Sequence, residues 1–352
     1  MGAARDNREL GRPSEALQID QSSLDAYLGV QIPGYAGGGD IQQFLGGQSN
    51  PTYLIEDESG SYVLRKKPPG KLLPSAHAVD REYRVISALA GTGVPVPRAR
   101  ILCEDDNVIG QSFYVMDYVP GRVFTGREMP DCAPREVTEM FRSMAGVLGA
   151  LHTVDFEAVG LNDFGRPAAY VERQVARWSG QYEASKVEDC EAMDRVIAWL
   201  AANNPTDERA SLVHGDYRPG NVIFDNDGPD VVAVLDWELS TIGHPLADVG
   251  YFLMPYRLDA RAAPFGLAGL DLDAIGIPPE HVVLEYYSES AGLDTSPDID
   301  FYIVFAMFRL AAILAGVLKR GLDGNASDPR AIEQGRTYAP LAAVALSIAR
   351  SC

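Results

Sequence analysis

Four polar residues at fixed spacing surround one apolar hairpin in the second half of this 352-residue chain. In chain order they are His214, Asp216, Asn221 and Asp236. The runs 222–224 and 231–235 are rich in β-branched apolar residues, and the turn-forming residues between them are typical of a β-hairpin. If the hairpin folds about Gly228, position 221 falls opposite position 236, and such cross-strand neighbours lie about 5 Å apart.

An amide oxygen and a carboxylate at that separation can bind one hard cation. Asn221 and Asp236 are therefore predicted to bind magnesium, which prefers oxygen ligands and completes its shell with water and substrate phosphates. Asp216 lies on the loop just upstream, where it can accept a proton from a substrate hydroxyl. The chemistry indicated is phosphoryl transfer to a hydroxyl group.

An alternative interpretation is structural, because Gly and Asp are common turn residues. His214-Gly215-Asp216 alone could be a turn, and Asp236 could cap a strand. The combination favours phosphoryl transfer, since protein kinases use the same order: His-x-Asp, four residues, Asn, and a later metal-binding Asp. Four polar residues at matched positions around two buried strands are hard to explain as turns.

Three segments together resemble the aminoglycoside phosphotransferase and choline kinase-like family. They are His214–Asn221 (HGDYRPGN), Leu235–Glu238 (LDWE) and Gly243–Asp248 (GHPLAD). More closely, they resemble the branch related to the kinase-like domains of acyl-CoA dehydrogenase fusion proteins, from about Gln43 to about Arg320. The resemblance implies ATP and magnesium as cofactors. It also implies an α+β, bilobal, protein-kinase-like fold with a small antiparallel β lobe, which contains one helix, and a large, mainly helical lobe.

The composition is that of a soluble globular protein, 46% apolar and long enough for one large domain or two smaller ones. A formal net charge of −19 argues against nucleic acid or an anionic membrane as the main partner. The charge could suit a cationic acceptor, although an acidic solvated surface explains it as well. The four cysteines are far apart and form no metal-type pair, so a reducing cytosol is the simplest interpretation.

The pattern along the chain predicts a loose leader over residues 1–20, an N-lobe over 21–119 and a C-lobe over 120–352. No signal core is apparent in the leader. The strands predicted in the N-lobe are 41–45, 52–55, 62–66, 98–103 and 112–118, and its helix is 78–89. The helices predicted in the C-lobe are 135–152, 167–179, 189–202, 280–292, 299–319 and 328–351. Within 301–318, Arg309 interrupts the apolar run, which favours a buried helix over a membrane span.

Several N-lobe residues are predicted to bind the nucleotide. The glycine turn at Gly46-Gly47 could be an ordinary hairpin turn, but between the first two strands of the lobe it can cover phosphates with Gly47, Ser49 and Asn50. On the third strand, Arg65 stands where a phosphate-binding lysine is usual, and Glu82 is its expected ion-pair partner. Arg65 and Lys67 share one face of that strand and Lys66 the other. For Lys66 and Lys67 the alternative is a solvated basic strand end. The adenine is expected at the end of the lobe, beside Met116, Asp117 and Val119.

The remaining polar residues near the motif are predicted to support it. His214 is expected to brace the loop, and Asp248 to accept backbone N–H bonds from it. Glu238 could reach a second magnesium or a substrate group, or act only in support. Arg218 could neutralise the surroundings of Asp216 or contact the γ-phosphate, and the sequence leaves both open.

The acceptor is a small molecule whose identity stays open at the level of sequence. The branch suggests a hydroxyacyl compound, free or as its CoA thioester, whereas the wider family admits aminoglycosides, choline-like alcohols and sugars. A nucleotide-binding regulatory module without turnover is the alternative from another class. Arg309 needs a partner in its apolar helix, either an acidic neighbour or an anionic group of the acceptor.

Overall fold

A computed structural model describes residues 8–45, 50–70, 77–293, 299–326 and 328–351. By its contacts the chain divides into two compact units. The first comprises Met1–Thr125, Val159–Leu161 and Pro219–Ser240; the second comprises Gly126–Ala158, Asn162–Arg218 and Thr241–Cys352. The hairpin region thus groups with the first unit, and the predicted lobe boundary at residues 119 and 120 stays a prediction.

The first unit contains a sheet in which every neighbouring pair of strands is antiparallel. Its strands are β1 (Leu10–Gly11), β2 (Asp40–Phe44), β3 (Thr52–Asp57), β4 (Gly60–Lys66), β5 (Ala99–Cys103) and β6 (Phe113–Asp117). Their order is β1-β2-β3-β4-β6-β5. The strands predicted for the N-lobe are confirmed apart from small shifts at their ends.

Strand β1 was not predicted, because residues 1–20 were expected to form a loose leader. Leu10 pairs with Phe44 and Gly11 with Gln43, at the end of β2. A two-residue edge strand is too short to show an alternating pattern, so its pairing partner alone reveals it. The described part of the leader is therefore partly ordered by the sheet.

Two helices accompany this sheet, α1 (Gln21–Gln31) and α2 (Val79–Leu89). α1 buries Leu24 and Leu28 in a core shared with Tyr53 and Leu64 of the sheet. α2 has one apolar face, and Glu82 is buried on it together with its apolar neighbours. A fully buried carboxylate requires partners, and the sheet supplies them.

Two small antiparallel pairs of strands follow later in the chain. They are β7 (Ser211–Val213) with β10 (Thr241–Gly243), and the hairpin β8 (Val222–Phe224) with β9 (Val231–Val234). The first pair lies in the second unit and the hairpin in the first.

The second unit is mainly helical, and the α+β fold predicted from the sequence is confirmed. Its helices are α3 (Pro134–His152), α4 (Tyr170–Ser185), α5 (Glu191–Ala202), α6 (Pro245–Leu253), α7 (Leu272–Ile275), α8 (Glu280–Ala291), α9 (Ile299–Leu322), α10 (Ala331–Arg336) and α11 (Tyr338–Ala349). The single helix predicted over 328–351 is wrong, since α10 ends before Thr337 and α11 begins after it. Pro340 explains the break, because proline is tolerated in the first turn of a helix and disrupts its interior.

Helix α9 is long and apolar enough to span a membrane by length and composition, but 72% of its most apolar window is buried in this structure. It packs against α4, α6, α10 and α11. Gly250 allows α6 to approach α9 closely, because a Cβ at this position would lie 2.4 Å from the carbonyl of Tyr302 on α9. These contacts agree with the buried helix predicted for this stretch.

Candidate active site

The predicted hairpin forms, but Asn221 does not lie opposite Asp236. The Leu235 N–H donates to the carbonyl oxygen of Asn221 at 2.8 Å, so Asn221 faces Leu235 and the predicted register is wrong by one position. The strand pairing shifts once, between Ile223 and Phe224, which leaves Val232 as the extra residue of a bulge. The predicted register, with Asn221 opposite Asp236, would have required a second extra residue between Val231 and Asp236.

Asp236 directly follows the residue that faces Asn221 and has a left-handed backbone, with φ 66°. This conformation is uncommon outside glycine, although Asp tolerates it better than most residues. It ends β9 and begins the 3-10 turn Trp237–Leu239. Trp237 is fully buried and donates its indole N–H to the Val234 carbonyl at 3.1 Å, which anchors the turn after Asp236.

Arg65 on β4 connects the helix α2 to Asp236. Its Nε lies 3.0 Å from Oε2 of Glu82, and its Nη2 lies 2.5 Å from Oδ1 of Asp236. Burial opposes the charge of Arg65, but Glu82 and the other anionic neighbours outweigh burial and raise the pKa of the guanidinium. The predicted Arg65–Glu82 ion pair is confirmed, and the contact with Asp236 is additional.

Glu82 receives further hydrogen bonds inside the unit. Asn50 Nδ2 donates to Oε1 at 2.7 Å and the Tyr114 hydroxyl to Oε2 at 3.3 Å. Burial raises the pKa of Glu82 to about 7, against the opposing charge of Arg65. Asn50 thus supports Glu82 in this structure, and its predicted contact with a nucleotide phosphate stays a prediction.

The other basic residues of the same strand end are placed differently from Arg65. Lys66 is 2% exposed, with its ammonium 5.7 Å from the centre of the Tyr53 ring. Burial lowers the pKa of Lys66. The backbone N–H of Lys67 bonds to the Ser112 carbonyl at 3.1 Å. Arg65 is the residue of this group that contacts Glu82, which favours it as the phosphate ligand.

The residues predicted to meet adenine lie at the end of β6. Met116 is buried, and the Asp117 N–H donates to the Arg98 carbonyl at 2.9 Å. The carboxylate of Asp117 pairs with Arg100, at 2.5 Å from its Nε. Contact of these residues and Val119 with adenine stays a prediction. Gly47 and Ser49, predicted to cover phosphates, lie outside the described residues.

Arg8 was not anticipated at this end of the sheet. Its Nη2 donates to the carbonyl oxygen of Val119 at 2.9 Å. Its guanidinium carbon lies 5.1 Å from the centre of the Phe44 ring and 4.9 Å from that of Tyr118. Arg8 therefore connects β2 to the segment that follows β6.

In the second unit, Asp248 on α6 supports the loop that carries Asp216. Its carboxylate accepts the N–H of His214 at 2.6 Å and that of Gly215 at 2.8 Å. Burial would raise the pKa of Asp248, but hydrogen bonds from His152 and the loop hold it below its usual value. Gly215 has φ 85°, which glycine adopts without strain. The hydrogen bonds predicted from the loop backbone to Asp248 are present.

The carboxylate of Asp216 has two neighbours that differ in charge. Arg218 Nε donates to its Oδ2 at 3.3 Å, and the side chain of Arg218 is 45% exposed. Burial and, after it, the negative charge of nearby Asp216 raise the pKa of Tyr251 on α6. His214 accepts the Asp216 N–H at its Nδ1, at 3.1 Å, as expected of a loop-bracing residue.

His152, at the end of α3, connects the carboxylate of Asp248 to α8. Its Nε2 lies 3.3 Å from Oδ2 of Asp248, and its Nδ1 lies 2.7 Å from the hydroxyl of Tyr287 on α8. The loop that carries Asp216 is thereby anchored to α3, α6 and α8.

A family model described as "phosphotransferase enzyme family" matches residues 40–274. The chain belongs to this family. A solved Ralstonia eutropha protein, named provisionally as an aminoglycoside phosphotransferase, is 42% identical with a TM-score of 0.86; the match covers 95% of this chain and 99% of that one.

Acyl-CoA dehydrogenase family member 10 of Mus musculus is 41% identical over 337 residues, which is 95% of this chain. The match spans only 32% of that protein's length. A spectinomycin phosphotransferase, solved with ADP and spectinomycin, has the same fold at 13% identity, with a TM-score of 0.61 and coverage of 94% of this chain and 98% of that one. The resemblance stated from the sequence, to the phosphotransferase family and to its acyl-CoA dehydrogenase branch, is confirmed.

The family fold implies a magnesium ion, and the residues present fit one. Asn221 and Asp236 offer amide and carboxylate oxygens, the donors that magnesium prefers. Asp236 remains 27% exposed at its side chain, so a ligand can reach it. Glu238 is close enough to act electrostatically on both Arg65 and Glu82, and its own contact with a metal stays a prediction.

Sequence reasoning missed His152, Tyr251 and Arg8. His152 had a detectable signal: an ionisable residue at the end of an otherwise apolar helix face needs a buried partner. Tyr251 and Arg8 had none, because their contacts depend on segments far away in the sequence.

Proposed function

We propose that this phosphotransferase transfers the γ-phosphoryl group of ATP, with magnesium, to a hydroxyl group of a small molecule in the cytoplasm. The observation that carries the proposal is the anchored loop: Asp248 accepts the backbone N–H groups of His214 and Gly215, which holds the following residue, Asp216, ready for a substrate. A general base must be positioned within reach of the proton before its pKa matters. The buried carboxylate of Asp248 positions Asp216 by accepting two backbone N–H groups of its loop.

Each polar residue has a proposed part in this reaction. Asp216 aligns the acceptor hydroxyl and accepts its proton as the oxygen attacks phosphorus. Asn221 and Asp236 would hold magnesium, which would supply neutralisation of the negative charge on the nucleotide phosphates when bound. Arg65 binds the α- and β-phosphates bidentately, oriented by Glu82. Such catalysis consists mostly of positioning and charge neutralisation.

For the acceptor, we propose a hydroxyacyl compound or its CoA thioester. The support is the similarity to acyl-CoA dehydrogenase family member 10 over 95% of this chain. Aminoglycosides and choline-like alcohols are the alternatives, supported by the description of the Ralstonia eutropha relative and by the net charge of −19. The net charge of the chain says little about the charge of one pocket. The similarity to the acyl-CoA dehydrogenase branch therefore carries more weight in the choice of acceptor.

A regulatory module that binds nucleotide without turnover is the second candidate. It is favoured by Arg65, which stands in place of the usual lysine and contacts Asp236 at 2.5 Å. The complete set of Asp216, Asn221 and Asp236 favours the enzyme.

Purified protein with ATP, magnesium and a panel of hydroxyl acceptors distinguishes the two candidates. ADP formation that depends on an acceptor, with a phosphorylated product seen by mass spectrometry, supports the enzyme. The matched control is Asp230→Asn, a change of the same kind at an exposed hairpin position, whereas Asp216→Asn should abolish most product. Tight ATP binding with no phosphorylated product from any acceptor would favour the regulatory module.

A further inference from the structure

Arg309 on α9 is a half-buried cation without a carboxylate partner in the part of the chain that the structure describes. Its contacts are with two aromatic rings. The guanidinium carbon lies 5.6 Å from the centre of the Trp178 ring and 5.9 Å from that of Tyr251. Such contacts orient a guanidinium and contribute only about 0.5–2 kcal/mol, and neither ring carries a negative charge that pairs with Arg309.

One of these rings belongs to a neighbour of the proposed base. Asp216 lies close enough to Tyr251 to act on it electrostatically, and Arg309 lies over the ring of the same side chain. The proposed base Asp216 and the guanidinium of Arg309 thus have Tyr251 as a common neighbour. A small acceptor can place its hydroxyl at Asp216 and a second group at Arg309.

Two further arginines on α4, Arg173 and Arg177, interact with aromatic residues of that helix. Arg177 has its guanidinium carbon 5.4 Å from the centre of the Trp178 ring. Arg309, Arg173 and Arg177 all act electrostatically on Tyr170, against the opposite effect of Asp248. Asp248 itself is engaged with His152 and the loop backbone. This concentration of arginine is unexpected in a chain with 49 acidic and 30 basic residues.

We propose that Arg309 is a specificity-determining residue that binds a negatively charged group of the acceptor. The proposal rests on the proposed function, in which the acceptor hydroxyl meets Asp216. A carboxylate or phosphate pairs with the guanidinium through charge-assisted hydrogen bonds, and Trp178 and Tyr251 hold the guanidinium plane in place. A cationic acceptor such as an aminoglycoside is repelled by the same residue.

Equilibrium binding tests the proposal without requiring turnover. Titration calorimetry would compare hydroxy acids of three to six carbons with diols of the same length, choline and kanamycin. The acids should bind the wild-type chain at least about tenfold more tightly than the matched diols, since a hydrogen bond to a charged group contributes that much or more. Arg309→Met should remove this preference, and Arg309→Lys should retain part of it.

Arg320→Met is the matched control, because Arg320 lies on the same helix and is exposed. This variant should keep the preference for acids. Equal binding of acids by wild type and Arg309→Met, with both folded by circular dichroism, would overturn the proposal. Tighter binding of choline or kanamycin than of any acid would overturn it as well.

The CoA thioesters of the same acids identify the source of the negative charge. If Arg309→Met weakens only the free acids, the ligand of Arg309 is the carboxylate; if it weakens only the thioesters, the ligand is a CoA phosphate. Phosphorylation assays on the same panel test the proposed function separately. Arg309-dependent binding without phosphoryl transfer would refute the enzyme and leave the anion site standing.

Discussion

Arg65 Nη2 lies 2.5 Å from the carboxylate oxygen Oδ1 of Asp236, the residue proposed to bind magnesium. The same guanidinium is held by Glu82, whose side chain is fully buried. A guanidinium and a divalent cation compete for the same oxygen, so metal binding to Asp236 should require Arg65 to find another anionic partner. The phosphates of a nucleotide would provide one.

Arg65→Met is therefore expected to strengthen the binding of a divalent metal in the absence of nucleotide. We expect a gain of about tenfold, within the usual range of coupling between sites. Mn²⁺ binding followed by electron paramagnetic resonance measures it directly. Arg98→Met, at an exposed position of the same unit, should leave Mn²⁺ affinity unchanged. Equal affinities in wild type and Arg65→Met would show that Arg65 does not compete with the metal.

Asp236→Ala removes the proposed metal ligand itself. It should weaken magnesium-dependent nucleotide binding more than metal-free binding, because only the former uses the carboxylate. Titration calorimetry with and without magnesium measures both. Equal losses under the two conditions would show that Asp236 acts only as the partner of Arg65.

Asp216→Asn should lower turnover by about 10²- to 10⁴-fold, the usual contribution of a positioned base. ATP affinity should change little, since the proposed nucleotide ligands lie on other residues. Steady-state kinetics combined with equilibrium nucleotide binding separates the two effects. Turnover at the wild-type rate would remove Asp216 from the mechanism.

Local patterns predicted the candidate loop over residues 214–221 because its polar residues are close together in the sequence. The support of the loop by Asp248 followed in the same way. The register of the hairpin was not predictable, since the bulge at Val232 leaves no mark in the alternation of apolar residues. Contacts between distant segments were equally hidden: Arg8 is 111 positions from Val119, whose carbonyl it binds.

His152→Ala is expected to reduce turnover by about tenfold or more while ATP affinity is retained. The substitution removes one donor from the buried carboxylate of Asp248, which costs about 1–3 kcal/mol of stability and loosens the loop that carries Asp216. Kinetics and urea unfolding together measure both effects. His281→Gln, at an exposed position of α8, is the control. A loss of stability with unchanged turnover would show that His152 supports the fold and not the loop.

His244 should make the stability of the protein depend on pH. It is 2% exposed, and its ring stacks on Tyr302 with centres 4.7 Å apart. Burial lowers its pKa to about 4, against the opposing charge of Asp207 at 3.4 Å. Below about pH 6.5 the unfolded chain binds a proton at this position that the folded protein excludes.

The contribution of His244 is therefore fully present above pH 6.5 and is lost as the pH falls towards 4. The lowered pKa corresponds to roughly 3 kcal/mol of unfolding free energy. His244→Asn removes the titrating group and keeps an acceptor for the Leu246 N–H at the start of α6. Urea unfolding at pH 7 and pH 4.5 should show a smaller loss of stability in this variant than in wild type or in His281→Asn. Identical losses in all three proteins would mean that His244 is protonated in the folded state.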